Sequence, residues 1–364
     1  MIIMATKQIG LSRDLLIHPG ETLREAIEDR GISRKELALR TAFTEKHISK
    51  VLNGKSPISS KFALALETAL AIDAVFWLNL QANYDIELAS LEQPETVRDE
   101  EIDVLQDLNP IIIFWQNKEV LNKSNDKRHK VLQLRSILGV KNLTVIPNLQ
   151  IAAAFRASNS KPMNPYVMFA WVKLCEMTVA KLRVMKTLDI ELLKSSITKM
   201  KQLMFAEACV MQKQLTSILM DCGIKFSIVP NFPGAPVQGF IEKNASNEMV
   251  LCMTIRQKFA DVFWFSFFHE IGHIMRGDVS TCFIDYSNVS DEKEKLADEF
   301  AKNVLIPQDS YNDFLLEKKI TLQSIKNFAQ TIGVPPYIVI GRLQKEKLVP
   351  YNKYSEEKLR FEWA

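Results

Sequence analysis

The segment Phe263-Trp264-Phe265-Ser266-Phe267-Phe268-His269-Glu270-Ile271-Gly272-His273 constrains the fold more than any other. An apolar run turns into two histidines four residues apart, with an acid beside the first. On an α-helix, residues i and i+4 lie on one face, one turn apart. His269 and His273 can therefore offer imidazole nitrogens to one metal ion. Glu270 is offset around the helix and reaches a water on that ion rather than the ion itself. The chain has only five histidines, His18, His47, His129, His269 and His273, so the pair is informative. The competing reading is a helix whose polar residues mark its surface end.

A catalytic zinc takes three protein donors plus water, so a third ligand is needed. Downstream, residues 291–301 carry Leu296 and Phe300 as an apolar stripe, with Glu294 and Asp298 one turn apart. Ala297 and Ala301 are small enough to let another helix approach. Glu294 is the expected ligand, with Asp298 accepting a hydrogen bond from the free N–H of a ligand histidine. Glu292 and Glu299 are rivals that fit worse, since neither has a second acid one turn later. Upstream, from Gly223, the apolar period shifts to that of strands. Residues 224–230, 237–242 and 249–255 read as a small sheet with a hairpin through 243–247. An edge strand there could hold an extended peptide by main-chain hydrogen bonds. Glu270 would then act as general acid and base on a metal-activated water. Tyr286 and the nearby strand amides are candidates for an oxyanion donor.

The N-terminal part reads differently. His18-Pro19-Gly20-Glu21 marks a helix start. Ser33 caps a short helix with Glu36 at the capping-box position. Thr41-Ala42-Phe43 is a tight connection, and Thr44 caps a helix that Gly54 ends. Further amphipathic helices are expected at 61–71 and from 74 to about 88. Short helix, three-residue turn, short helix is helix-turn-helix spacing, and the second helix would lie in a DNA major groove. Its outward residues are expected to be Thr44, Glu45, Lys46, His47, Ser49 and Lys50, with Ile48, Val51 and Leu52 in the core. Arg40, Lys46, Lys50, Lys55 and Lys61 make this segment locally basic, which suits contact with double-stranded DNA. The alternative is a small helical protein-interaction bundle.

Between these parts, the acidic stretch around Pro94 reads as a boundary. The expected division is 1–90 helix-turn-helix, 91–218 helical middle region, 219–315 metal-binding core and 316–364 helical extension. In the middle region, Asn164-Pro165 opens an apolar helix, and one long helix is expected from 189 to about 221. Leu322 to Leu343 has the pattern of a degenerate helix-turn-helix, with Pro335 and Pro336 and no basic residue in its second helix's first turn. It reads as a packing or docking element, followed by a charged, partly mobile tail. At 364 residues and 47% hydrophobic content there is room for two or three cores. A net charge of +3 excludes polyanion binding by the chain as a whole, so any basic patch is local. The scattered Cys175, Cys209, Cys222, Cys252 and Cys282 include no CxxC pair and suit a reducing cytoplasm. Neither a signal peptide nor a membrane span is expected.

Two resemblances follow from these residues. His18-Pro19-Gly20-Glu21-Thr22-Leu23, Glu36-Leu37-Ala38, Ile48 to Lys55, Phe76-Trp77-Leu78-Asn79-Leu80-Gln81 and Tyr84-Asp85 resemble the HigA-type antitoxin branch of helix-turn-helix regulators. That implies operator binding, usually as a homodimer, and often autoregulation. One departure is Ala42, where such turns commonly have Gly; at positive φ, Ala costs roughly 1 kcal/mol more than Gly. Asp261 to Phe265, His269 to Ile274, Glu294, Ala297, Asp298, Phe300 and Ala301, ending in Leu305-Ile306-Pro307, resemble the ImmA/IrrE family of zinc metallopeptidases. That implies one zinc ion on His269, His273 and Glu294, with Glu270 as general acid and base. It also implies a regulatory protein, such as a helix-turn-helix repressor or antitoxin, as substrate. A sheet placed just before such a helix is the zincin arrangement. The expected fold is therefore mainly α with a small β-sheet (α+β), a helix-turn-helix bundle plus a zincin-like metallopeptidase domain. The expected function is a cytoplasmic prokaryotic DNA-binding regulator with a zinc endopeptidase of conditional activity. The alternative is a non-catalytic antitoxin or repressor whose zinc domain senses or binds a partner.

Overall fold

The computed structural model describes residues 15–149, 163–184, 186–244, 246–279, 291–316 and 320–363. Tyr286 and Cys282 lie outside the described residues. The chain divides into two compact units, Met1–Asp99 and Glu100–Ala364.

The first unit holds α1 (Pro19–Glu28), α2 (Arg34–Thr41), α3 (Glu45–Leu52), α4 (Ser60–Leu70) and α5 (Ala74–Glu92). Its helix starts are encoded locally. His18 Nδ1 accepts from the Gly20 amide at 2.9 Å, Ser33 from Glu36 and Thr44 from His47, filling orphan donors that each helix start leaves. The box at Ser33 is only half formed, because Glu36 turns its carboxylate to Arg40 instead of back to the cap. Ala42 sits in the left-handed region at φ 56° and ψ 25° and ends α2, so the tight turn keeps its geometry without glycine. Leu23, Leu37, Ile48, Val51, Phe62, Leu66 and Trp77 form one core. Gln81, buried on α5, accepts from the Ile58 amide and donates to Asp85. It thereby ties the loop before α4 to the last helix.

The second unit begins within α6 (Asp99–Asn117), from its second residue, and continues into α7 (Lys127–Leu138). Buried Glu101 joins these by accepting from Arg135 and from the Leu143 amide. α8 (Pro165–Val179), capped by Asn164, lies on the sheet through Trp171, whose indole donates to the Pro230 carbonyl. The long helix expected from 189 to about 221 is instead two: α9 (Ile190–Gln202) and α10 (Ala208–Asp221), separated by a 3-10 turn at Leu203–Phe205. Leu203 and Met204 bury their side chains there, and the Met204 carbonyl accepts from Tyr337 rather than from the next helical turn.

The sheet is β1 (Ile224–Ile228), β2 (Gly239–Lys243) and β3 (Met249–Met253), ordered β1-β3-β2. β2 and β3 form the expected hairpin, while β1 pairs in parallel with β3. Central β3 is buried along its whole length, leaving β2 at an edge beside α11 (Ala260–Arg276). α12 (Asp291–Leu305), α13 (Gln308–Leu315), α14 (Leu322–Ile332) and α15 (Pro336–Lys345) follow. One continuous core runs from Leu193 through Phe226, Leu251, Phe267 and Ile340 to Phe361. The tail is docked rather than mobile over its described part. The Ala260 amide donates to the Leu359 carbonyl, Lys358 pairs with Asp261 at 2.7 Å, and Phe361 packs edge-on against Phe263.

Candidate functional site

α11 is built so that one of its faces holds the core and another a site. Phe263, Trp264, Phe267, Phe268, Ile271 and Ile274 are buried in the core. His269 and His273 emerge next to them, with Nε2 atoms 3.1 Å apart. Gly277, at φ 70°, ends the helix.

α12 crosses α11 closely because both helices are narrow there. A Cβ on Gly272 would stand 3.0 Å from Phe300 Cδ1 and 3.4 Å from Ala297 Cα, and Ala297 and Ala301 are fully buried. This approach brings Glu294 to the histidines. Its Oε2 lies 3.2 Å from His269 Nε2 and its Oε1 lies 3.4 Å from His273 Nε2. Glu292 and Glu299 are exposed and stand outside the cluster.

The donor set fits a tetrahedral zinc. Donors at about 2.0–2.1 Å from such an ion stand roughly 3.3 Å apart, and the three observed edges bracket that value. The two ring nitrogens at 3.1 Å share one N–H as a hydrogen bond, or, with neither protonated there, both offer lone pairs to one cation. The remaining ring nitrogens meet acids. His269 Nδ1 lies 2.9 Å from Asp298 Oδ1. His273 Nδ1 lies 3.5 Å from Asp278 Oδ2. Asp278, which sequence reasoning missed, is nearly buried and also meets Arg276 and Lys293. Its readable signal was the helix-ending Gly277, after which the Asp278 amide donates back to the His273 carbonyl.

The electrostatics of the cluster favour a cation. Burial lowers the pKa of His269, but hydrogen bonds to Asp298 and Glu294 outweigh it and push the ring up to about 10. The same histidines hold Glu294 well below the usual carboxylate range. Lost hydration raises the carboxyl of Glu270 against the pull of both histidines, with Glu294 adding to the rise. Glu270 lies against the start of the edge strand: a Cβ on Gly239 would stand 2.6 Å from its Oε1. Glycine there leaves room for the carboxylate between strand and helix.

In the first unit, Thr44, Glu45, Lys46, Lys50 and Lys55 are exposed on or beside α3, and Ser49 is half-buried. His47 departs from the outward set. Its ring packs against Phe43 and Phe62, at centroid distances of 4.9 and 5.0 Å, and its Nε2 is buried without a hydrogen bond. Ring contacts of this kind, one tilted and one edge-to-face, were invisible to helical spacing because Phe43 lies in the turn.

Comparison with known proteins agrees with this division. A helix-turn-helix family model matches residues 23–77, and the model described as IrrE N-terminal-like domain, a peptidase family, matches residues 260–344. Virulence-associated protein A′ of Dichelobacter nodosus is 35% identical over 82 residues, which is 22% of this chain and 71% of that protein. Virulence-associated protein I of the same organism is 33% identical over 78 residues, 21% of this chain and 72% of that protein. A solved structure of an addiction module antidote protein of a HigA family from Coxiella burnetii shares 34% identity. It covers 23% of this chain and 94% of its own, with a TM-score of 0.22. No helix among the described residues is long and apolar enough to cross a membrane.

Proposed function

Because the chain belongs to the helix-turn-helix family of these virulence-associated proteins and carries an IrrE N-terminal-like domain, we propose that it is a DNA-binding regulator that cuts a peptide bond in a regulatory protein. The observation that carries the catalytic half is the triangle of His269, His273 and Glu294, with Glu270 beside it at the edge of the sheet. A zinc ion bound there would polarise a substrate carbonyl and acidify a water. Glu270 would be the group that accepts a proton from a water held there and returns it to the leaving nitrogen. Its raised pKa suits a group that must both hold and release a proton. Asp298 and Asp278 orient the two ligand rings. The open edge of β2 gives an extended substrate main chain a place to pair.

The DNA-binding half rests on Thr44, Glu45, Lys46, Ser49, Lys50 and Lys55, with His47 a packing residue that fixes α3 on the core. A homodimer would place two such helices on an operator. The substrate class, a helix-turn-helix repressor or antitoxin, is the partner such a regulator would meet on DNA.

The test is metal analysis followed by Glu270→Gln. Wild type should carry one zinc per chain and deplete a regulatory protein in its host. The Glu270→Gln protein should keep the zinc and accumulate that regulator bound to it. Equal loss of candidate regulators with both proteins refutes the peptidase reading. The non-catalytic alternative predicts that outcome with zinc still bound.

A further inference from the structure

A cavity of about 710 Å³ lies within the second unit, between α11, α12, α15 and the docked tail. It is lined by Phe265 and Ser266, four and three residues before His269 on the same helix, and by Asp298, which hydrogen-bonds that ring. Gln238, immediately before edge strand β2, lines it too. The cavity therefore begins one helical turn, about 5.4 Å, from the metal ligands. An extended peptide advances about 3.3 Å per residue. A main chain paired along β2 and extended past Gly239, where Glu270 lies, would run toward Gln238 and so toward this cavity.

The walls are apolar: Val262, Phe265, Leu305, Ile306 and Ile338. The volume exceeds what one side chain fills and lies in the range of about 300–1,000 Å³ common for ligand pockets. Of the charges, Asp298 is taken by His269, Asp261 by Lys358, and Arg342 by Glu346. Lys302 and Lys345 also line the cavity, and neither forms an ion pair among the described residues. Lys302 stands one turn beyond Asp298 and is close enough to favour its ionised form, so these are two exposed lysines at the rim of an apolar pocket, an arrangement complementary to an apolar group carrying an anion.

We propose that this cavity selects the substrate by taking a bulky apolar residue with an acidic neighbour, the acid meeting Lys302 and Lys345. The proposal rests on the peptidase reading for the identity of the occupant as substrate, but its test reads binding and not turnover. The protein is the full-length, zinc-loaded Glu270→Gln chain. The probes are two fluorescent peptides of equal length, one with Leu-Glu pairs and one with Leu-Lys pairs, followed by anisotropy. The acidic peptide should bind about tenfold or more tightly than the basic one, the scale set by a matched against a mismatched charge pair. Lys302→Glu with Lys345→Glu should abolish or invert that preference, and Val262→Trp should weaken both peptides with zinc content unchanged.

Equal binding of the two peptides overturns the proposal. So does a preference that survives the Lys302/Lys345 reversal but disappears in Lys46→Ala with Lys50→Ala, since the basic face of α3 would then be the source. The reversed lysines are exposed, so that variant keeps the test decisive if Val262→Trp does not fold. If the preference is found but no regulator is ever cut, the peptidase reading fails and the pocket stands. If cutting occurs without the preference, the reverse holds.

Discussion

Replacing Gly272 by valine should cost the protein its zinc without unfolding it. The reason is the crossing of α11 and α12. A Cβ at Gly272 already stands 3.0 Å from Phe300 Cδ1 and 3.4 Å from Ala297 Cα. Carbon atoms settle at about 3.5–4.0 Å, so the Cβ alone requires roughly 0.5–1 Å of separation, and two methyl groups require more. Glu294 reaches the histidines across that same crossing, at 3.2 and 3.4 Å. An opening of about 1 Å takes its carboxylate off a zinc–oxygen bond of about 2.0–2.2 Å. Loss of a merely supporting partner weakens zinc sites by about 10–100-fold. Loss of a ligand should therefore weaken this one by at least ~100-fold. Overpacking costs about 1–3 kcal/mol, against a usual stability of about 5–15 kcal/mol, so the fold survives. Competition against a chromophoric chelator measures the affinity, and circular dichroism checks the fold. Gly272→Ala should fall between the two, because the half-buried Phe300 ring can tilt away from a single methyl group. A folded Gly272→Val protein with wild-type zinc affinity would refute the argument that this contact positions Glu294.

Asp298→Ala should weaken zinc by about 10–100-fold while leaving thermal unfolding of the chelated protein unchanged; an unaltered zinc affinity would remove Asp298 from the site. Ala42→Gly should raise the stability of the first unit by about 0.5–1 kcal/mol, because glycine reaches φ 56° without a Cβ penalty. Denaturant titration measures this, and a less stable variant would show that the turn carries no strain. Lys46→Ala with Lys50→Ala should weaken binding to the protein's own promoter DNA and reduce the slope of log K against log salt by about 2, close to one unit per lost phosphate contact. Binding as tight as wild type would remove α3 from the groove.

What could be read from the sequence was what a helix or a turn encodes within a few residues. The His269–His273 pair shares a face because the helical repeat requires it. The starts of α1 to α3 were legible because His18, Ser33 and Thr44 satisfy amides only two or three positions away. The hairpin of β2 and β3 was legible for the same reason. The sequence favoured Glu294 over Glu292 and Glu299 through Asp298 one turn on, but only the tertiary structure brings its carboxylate to the histidines, where α12 closely meets Gly272. It also revealed Asp278 against His273, broke the 189–221 helix where Met204 meets Tyr337, turned His47 onto Phe43 and Phe62, and docked the tail on α11. Parallel pairing of β1 with β3 belongs to the same group. Each of these depends on which faces meet across long stretches of chain. Local periodicity fixes which residues share a face, and packing decides what that face touches.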